Sequence, residues 1–374
     1  MGSIKQNYAN NVLTNGKFDA TDLDGVIPNT NINDNSIDNV TVFGTAGSGI
    51  ASVASDPPSP TTGDTWYNTT SNSLKYSKTT TDADGTFVSG GNLNLGRQLS
   101  QFGSNTAGLG FGGYDGAPNT EITNTESYDG TSWTEVNDLN IGRYSIASFG
   151  VQTAGIGAAG YRSPPTPTPH QTALTESWNG TSWSEVNDLN SAGRDGGGAG
   201  TQTAGLFVSG VRSAALSNSV ESWDGTSWTE IAEVTTSRTG RATGIQTAAI
   251  FFGGEEPALS TKNELWNGTS WTEVGDLNTA TGGQFASGIS TRALSTGGNV
   301  PPGSTRSNKN EAWDGTSWTE VNNLTTARAG SGGMSGTTTS GALIAGGNSG
   351  GVTYVATTEE FSLTPQVTKT VTTA

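Results

Sequence analysis

No cysteine occurs in this chain, and histidine occurs once, as His170. Thiol nucleophiles and disulfide frameworks are thereby excluded, and most zinc, copper or haem sites lose their usual ligands. Basic residues are scarce as well: 17 Lys and Arg stand against 33 Asp and Glu, a formal net charge of -16. A nucleic-acid binder needs a basic face that displaces counterions, so that class of partner is not expected. No run of apolar residues approaches bilayer length, and the opening MGSIKQNYANNV lacks the apolar centre of a secretion signal. Hydrophobic residues make up only 31% of the chain, a composition that by itself leans towards disorder.

What is present overrules that composition. TESYDGTSWTEVNDLNIGR begins at Thr125, and close variants begin at Glu176, Glu221, Glu264 and Glu311. The tryptophans of the shared GTSW element, Trp133, Trp183, Trp228, Trp271 and Trp318, are separated by 50, 45, 43 and 47 residues. Large apolar groups at fixed intervals require something to cover them, and the interval suits four strands per unit. Asp-Gly or Asn-Gly between aromatic, alternating runs predicts a β-hairpin with a type I′ turn. Its paired aromatics are expected to cover the small residues of the next unit.

Each unit also carries an Arg or its substitute, a Gly/Ala/Ser-rich run and a short apolar run ending in two small residues. These endings are Gly112-Gly113, Ala159-Gly160, Ser209-Gly210, Gly253-Gly254, Gly297-Gly298 and Gly346-Gly347. They mark the end of a second strand in a radial array, whose innermost strands have little room. The apolar-Gly half occurs six times, but GTSW only five. The gap is filled by GTFVSGGNLNLGR, whose Phe87 precedes Trp133 by 46 residues, and TTEEFSL places Phe361 where the other units have Tyr128 or a Trp. An all-β, six-bladed propeller is expected, closed by pairing the strand near Phe87 with the last blade near Phe361.

With Arg, Gly-Gly, E-x-W and a second Trp recurring at this spacing, residues 84–363 resemble the kelch-type β-propeller. The two aromatics lie closer together here than in the kelch pattern, a departure that bears on the turn. The ESxDGTSW wording, with PPSPTTGDTWYNTTSNSLKYS at Pro57–Ser77, also resembles virion-associated proteins of marine tailed phages. That resemblance implies a virion protein made in a host cytoplasm, attached to other virion proteins and homo-oligomeric, with a trimer as the first expectation.

Three segments are expected: an attachment arm over 1–56, a proline-rich connector and small hairpin over 57–83, and the propeller with a short tail over 84–374. In the arm, Ile27, Ile32, Ile37 and Val42 recur every five residues, which fits neither a helix nor a plain strand. A solenoid-like arm and a solvated linker both suit that spacing. Asp19, Asp22, Asp24 and Gly25 lack the spacing of an EF-hand loop, and no metal or cofactor is expected.

Function usually resides in variable loops on a rigid scaffold, and the loops after the small-residue pairs differ most between units. Tyr114, Tyr161, Arg162, His170, Arg212, Glu255, Arg306 and Tyr354 form the candidate contact surface. The same face is expected to carry Arg97, Arg143, Arg194, Arg238 and Arg328, with Thr281 in the remaining unit. Guanidiniums converging on a central channel suit bidentate carboxylate or sialic-acid-like ligands; bracing of the blades is the alternative role. Glu135, Glu185, Glu230, Glu273 and Glu320 recur too regularly for one catalytic centre. S-x-D-G-T-S-W departs from the sialidase Asp-box in joining Asp directly to Gly, and kelch-type copper oxidation needs a cysteine the chain lacks. The expectation is a non-enzymatic virion protein, a tail-fibre or tail-associated adhesin for a host glycan or protein. Decoration or scaffolding of the capsid or tail is the alternative, and a sialidase-like glycosidase a weaker one.

Overall fold

A computed structural model describes residues 13–14, 17–18, 51–57, 65–71, 73–78, 85–117, 121–163, 170–302, 305–330, 341–362 and 367–370. The five-residue periodicity at 27–42 and the Asp19–Gly25 cluster lie outside the described residues. The chain divides into two compact units, Asp84–Thr364 and a second formed by Met1–Ala83 with Pro365–Ala374.

Unit Asp84–Thr364 is a six-bladed β-propeller. Blade 1 comprises Gln98–Ser104, Ala107–Tyr114, Thr125–Tyr128 and Trp133–Val136, each antiparallel to the next. Blades 2 to 5 begin at Ala147, Gly197, Arg241 and Phe285, and end at Glu185, Ile231, Glu273 and Val321. Blade 6 pairs Ala342–Ala345 with Thr358–Ser362, and the latter with Thr86–Ser89. Phe361 stands directly opposite Phe87, so the ring closes as the repeat count requires. The inner strand expected for blade 6 falls on 331–340, outside the described residues.

Six apolar clusters occupy the six seams between blades. Trp178 and Trp183 of blade 2 lie with Phe102, Leu109 and Phe111 of blade 1, and Trp223 and Trp228 of blade 3 with Phe149 and Ile156 of blade 2. The aromatics thus cover the preceding unit, not the next one as the sequence reading had it. Glycine makes room for the approach: a Cβ on Gly155 would sit 2.2 Å from the Phe102 ring. Burying each such ring stabilises the fold by roughly 1.5–3 kcal/mol.

The hairpin turn also differs from expectation. Tyr128 pairs directly with Trp133, leaving Asp129–Ser132 as a four-residue loop. Only Gly130 takes positive φ, 93°, while Asp129 Oδ1 accepts the Thr131 and Ser132 N–H groups at 2.8 Å each. A short acceptor that can hold two loop amides favours this loop over the type I′ turn, and explains why only Asp or Asn occupies the position. The carboxyls of Asp129, Asp224 and Asp314 are lowered below the usual value chiefly by these amides.

The small-residue pairs directly follow the second strand in blades 2, 4, 5 and 6, as expected, but lie within it in blades 1 and 3, where it runs on to Tyr114 and Arg212; in all six they also stitch the ring. All six adopt positive φ, Ala159 and Ser209 included. The turned backbone sends the N–H of Gly113, Gly160, Gly210, Gly254, Gly298 and Gly347 to the carbonyls of Arg143, Gly193, Arg238, Thr281, Arg328 and Arg97 in the following blade. The last of these joins blade 6 to blade 1.

In the other unit, Ala51–Val53 runs parallel to Thr65–Asn68, which pairs with Ser73–Lys78, which in turn pairs with Val367–Thr370. This sheet crosses the boundary drawn at residue 56. Its last strand comes from the segment expected to be a propeller tail, because the open edge of Ser73–Lys78 takes up the C-terminal backbone. Asp56 anchors it, accepting from Trp66 Nε1, Asn68 Nδ2 and Lys75 Nζ.

Candidate functional site

Four of the five arginines expected to line a central channel are instead buried in ion pairs that brace the blades. Arg97, Arg143, Arg238 and Arg328 are fully buried, and each meets the glutamate of its own blade's E-S-Y, E-x-W or E-E-F element. In blade 1, Arg97 Nη1 donates to Glu126 Oε1 at 2.6 Å, and the N–H and Nδ2 of Asn94 donate to Oε2 at 2.8 and 2.9 Å. Asn140, Arg143 and Glu176 repeat this in blade 2, Thr235, Arg238 and Glu264 in blade 4, and Thr325, Arg328 and Glu359 in blade 6. A buried guanidinium needs acceptors, and the third-strand carboxylate is the one that the fold places beside it. Burial lowers Arg143 and Arg328 from the ordinary arginine value, against the pull of Glu176 and Glu359. The cluster fastens each blade-to-blade crossover to the blade that it enters.

Blade 3 departs by one residue. Its connector reads Asn190-Ser-Ala-Gly-Arg194, where blade 2 has Asn140-Ile-Gly-Arg143, so Arg194 overshoots the lock. Arg212 reaches back to Glu221 at 2.6 Å in its place, and is buried rather than part of the contact surface. In blade 5, where Thr281 stands, Glu311 is filled by the N–H and Nδ2 of Asn278 and the N–H of Thr279.

Released from the lock, Arg194 lies over the Tyr161 ring at 5.4 Å and pairs with Asp195. It ends a row of aromatics on the loop face. Tyr354 of blade 6 meets Tyr114 of blade 1 edge-on at 5.6 Å, Tyr114 meets Tyr144 at 5.4 Å, Tyr144 meets Tyr161 at 5.1 Å, and Tyr161 meets His170 at 5.5 Å. Tyr144 and Tyr161 also exchange backbone hydrogen bonds, placing the blade-entering and post-glycine loops on one face as expected. All five side chains are half-buried. Burial, with Tyr161 and Asp195 nearby, pushes Tyr144 up to about 12, and burial beside Tyr114 raises Tyr354.

The structure therefore gathers Tyr114, Tyr161, His170 and Tyr354 from the expected surface. Arg162 is half-buried beside them, its backbone N–H donating to His170 O. Arg306 lies further along the face, between Asn299 and Asn348. Glu255 stands apart on blade 4, exposed, in an acidic loop where Glu256 pairs with Lys262 at 3.3 Å. Sequence reading missed Tyr144 and Asp195, though both directly follow the repeat arginine. It also missed Gln152, Gln202 and Gln246, whose Nε2 groups cap the Tyr128, Trp178 and Trp223 carbonyls of the preceding blade at 2.6 Å each. The recurring Q-T-A was the available signal.

No family model matches the chain, and no curated protein is significantly similar to it. Among the described residues no group of three or more His, Asp or Glu is placed to hold a metal ion, and no helix is long and apolar enough to cross a membrane.

Proposed function

We propose that this protein is a non-enzymatic virion component, a tail-fibre or tail-associated adhesin. Its kelch-type head contacts a glycan or protein of the host surface. Attachment to other virion proteins runs through the N-terminal residues, in a homo-oligomer for which threefold symmetry suits a fibre tip. The observation that carries the reading is the tyrosine row. Four tyrosines drawn from three blades lie in contact on the variable-loop face, in positions the repeat does not prescribe. Aromatic rings with polar tips are the side chains best suited to an exposed recognition surface, because they offer contact area at little conformational cost. The repeated Arg and Glu side chains are meanwhile occupied in holding blades together, which favours binding over acid-base catalysis.

A cryo-EM map of the intact particle tests this reading. The expected result is an outward-facing loop surface with Tyr114 and Tyr161 exposed and the N-terminal segment embedded in the tail. Burial of that surface against capsid or neighbouring subunits would replace receptor binding with decoration or scaffolding.

A further inference from the structure

We infer that Arg306, with Tyr354 and Tyr114 beside it, forms a subsite for a carboxylate-bearing sugar of a surface glycan. This deepens the adhesin reading and rests on it.

Arg306 is held unlike Arg194 and Arg212. Its Nε donates to Asn348 Oδ1 at 2.9 Å and its Nη1 to Asn299 Oδ1. Both partners are neutral. Among the described residues no carboxylate forms an ion pair with it, whereas Arg194 has Asp195 and Arg212 has Glu221. The segments 118–120, 303–304 and 331–340, outside the described residues, contain no Asp or Glu in sequence. Two amide oxygens thus fix the guanidinium without neutralising it, a pre-organised cation with donors left for an external anion.

The framework is rigid. Asn299 and Asn348 directly follow the glycine pairs of blades 5 and 6, the register that holds Tyr114 and Tyr161 in blades 1 and 2. Their backbones are bonded in both directions, Asn299 with Gly282 and Asn348 with Ala329. Asn348 and Arg306 both lie near the Tyr354 phenol and favour its ionised form against the effect of burial, which links the cation to the tyrosine row. The loop bearing Asp115 and Gly116 approaches Tyr354 so closely that a Cβ on Gly116 would lie 2.7 Å from the ring. Asp115, the nearest acid of that loop, accepts the Ala117 N–H at 2.9 Å. At the tip of the blade 6 hairpin, Val352 is 85% exposed. A cation, a phenol near it and an exposed apolar residue at the tip of the same hairpin match a sugar that combines a carboxylate, hydroxyls and a C–H face. On a chain of net charge -16, this locally uncompensated cation favours an acidic sugar over a neutral one.

The full chain should be passed over immobilised polysialate, polygalacturonate and hyaluronan. Each is paired with its carboxyl-reduced counterpart, and dextran serves as the neutral polymer. We expect retention on at least one acidic polymer and about tenfold weaker binding to its reduced form, the worth of one charge-assisted hydrogen bond. Arg306→Gln should lose the same factor at unchanged Tm. Arg292→Gln, which removes an exposed charge from an inner-strand turn of blade 5, should lose none. Arg306→Lys keeps the charge without the fork and should be intermediate. Failure to retain any acidic polymer, equal binding to reduced forms, or an indifferent Arg306→Gln each overturns the subsite. Binding to dextran or intact host cells without acidic preference would sink the subsite alone and leave the adhesin reading standing.

Discussion

The seams make a quantitative prediction about buried indoles. Trp133, Trp183 and Trp228 donate their Nε1–H across a seam to the hydroxyls of Thr358, Thr125 and Thr175, at 2.9, 3.0 and 3.2 Å. At the next seam the threonine is replaced by Val220, and Trp271 Nε1 is buried with no partner among the described residues. A buried donor left unmade costs about 1–3 kcal/mol. Val220→Thr supplies the acceptor, but loses a packed methyl worth about 0.8 kcal/mol and desolvates a hydroxyl. We expect a net stabilisation of about 1 kcal/mol. Thr175→Val, the reverse change at an equivalent site, should destabilise by about 1–3 kcal/mol. For a unit of this size that corresponds to shifts of about 2–4 °C in Tm per kcal/mol. Differential scanning calorimetry gives the singles, and Trp228→Phe combined with Thr175→Val gives the coupling, expected at about 1 kcal/mol. Equal responses at both sites, or absence of coupling, would refute the assignment and make packing the whole effect.

Three further outcomes follow from the same framework. Glu264→Gln leaves the fully buried Arg238 charge without its carboxylate and should cost about 3–5 kcal/mol by urea denaturation, whereas Arg194→Gln, whose ion pair with Asp195 is partly exposed, should cost under about 1. Gly254→Ala places a Cβ 1.8 Å from Thr239 O in a backbone of φ 97°. Its cost should exceed about 3 kcal/mol, and a Tm change within error would falsify the stitching role of the glycine pairs. Tyr128, raised to about 12 by burial and by its 2.5 Å hydrogen bond to Glu360 across the seam between blades 1 and 6, titrates above its unfolded value of 10. Its contribution to stability is therefore complete below pH 10 and lost as pH rises towards 12, a change that ultraviolet difference titration and alkaline melting of the wild type and Tyr128→Phe should both register.

Much of the fold was written in one dimension. Repeats, strand count, small-residue corners and the Phe87–Phe361 closure were legible because four strands of fixed length, with aromatics on a fixed face, admit few arrangements. The turn type was not, since Asp-Gly serves both a two-residue turn and a loop capped by its own carboxylate. The direction in which the aromatics pack, towards the preceding blade, was also hidden, because a period does not reveal which neighbour a face meets.

The candidate site divides along the same line. Sequence by itself determined which residues repeat and which vary, and so marked Tyr114, Tyr161, His170 and Tyr354 as departures from the pattern. Tertiary structure decided which charges are spent. Arg97 and Arg306 are alike as residues, but one is buried against Glu126 and the other is held by two asparagines, with no carboxylate paired to it among the described residues. A guanidinium's availability depends on the acceptors within a few ångströms, and those come from strands and hairpins 7 to 42 residues away in sequence.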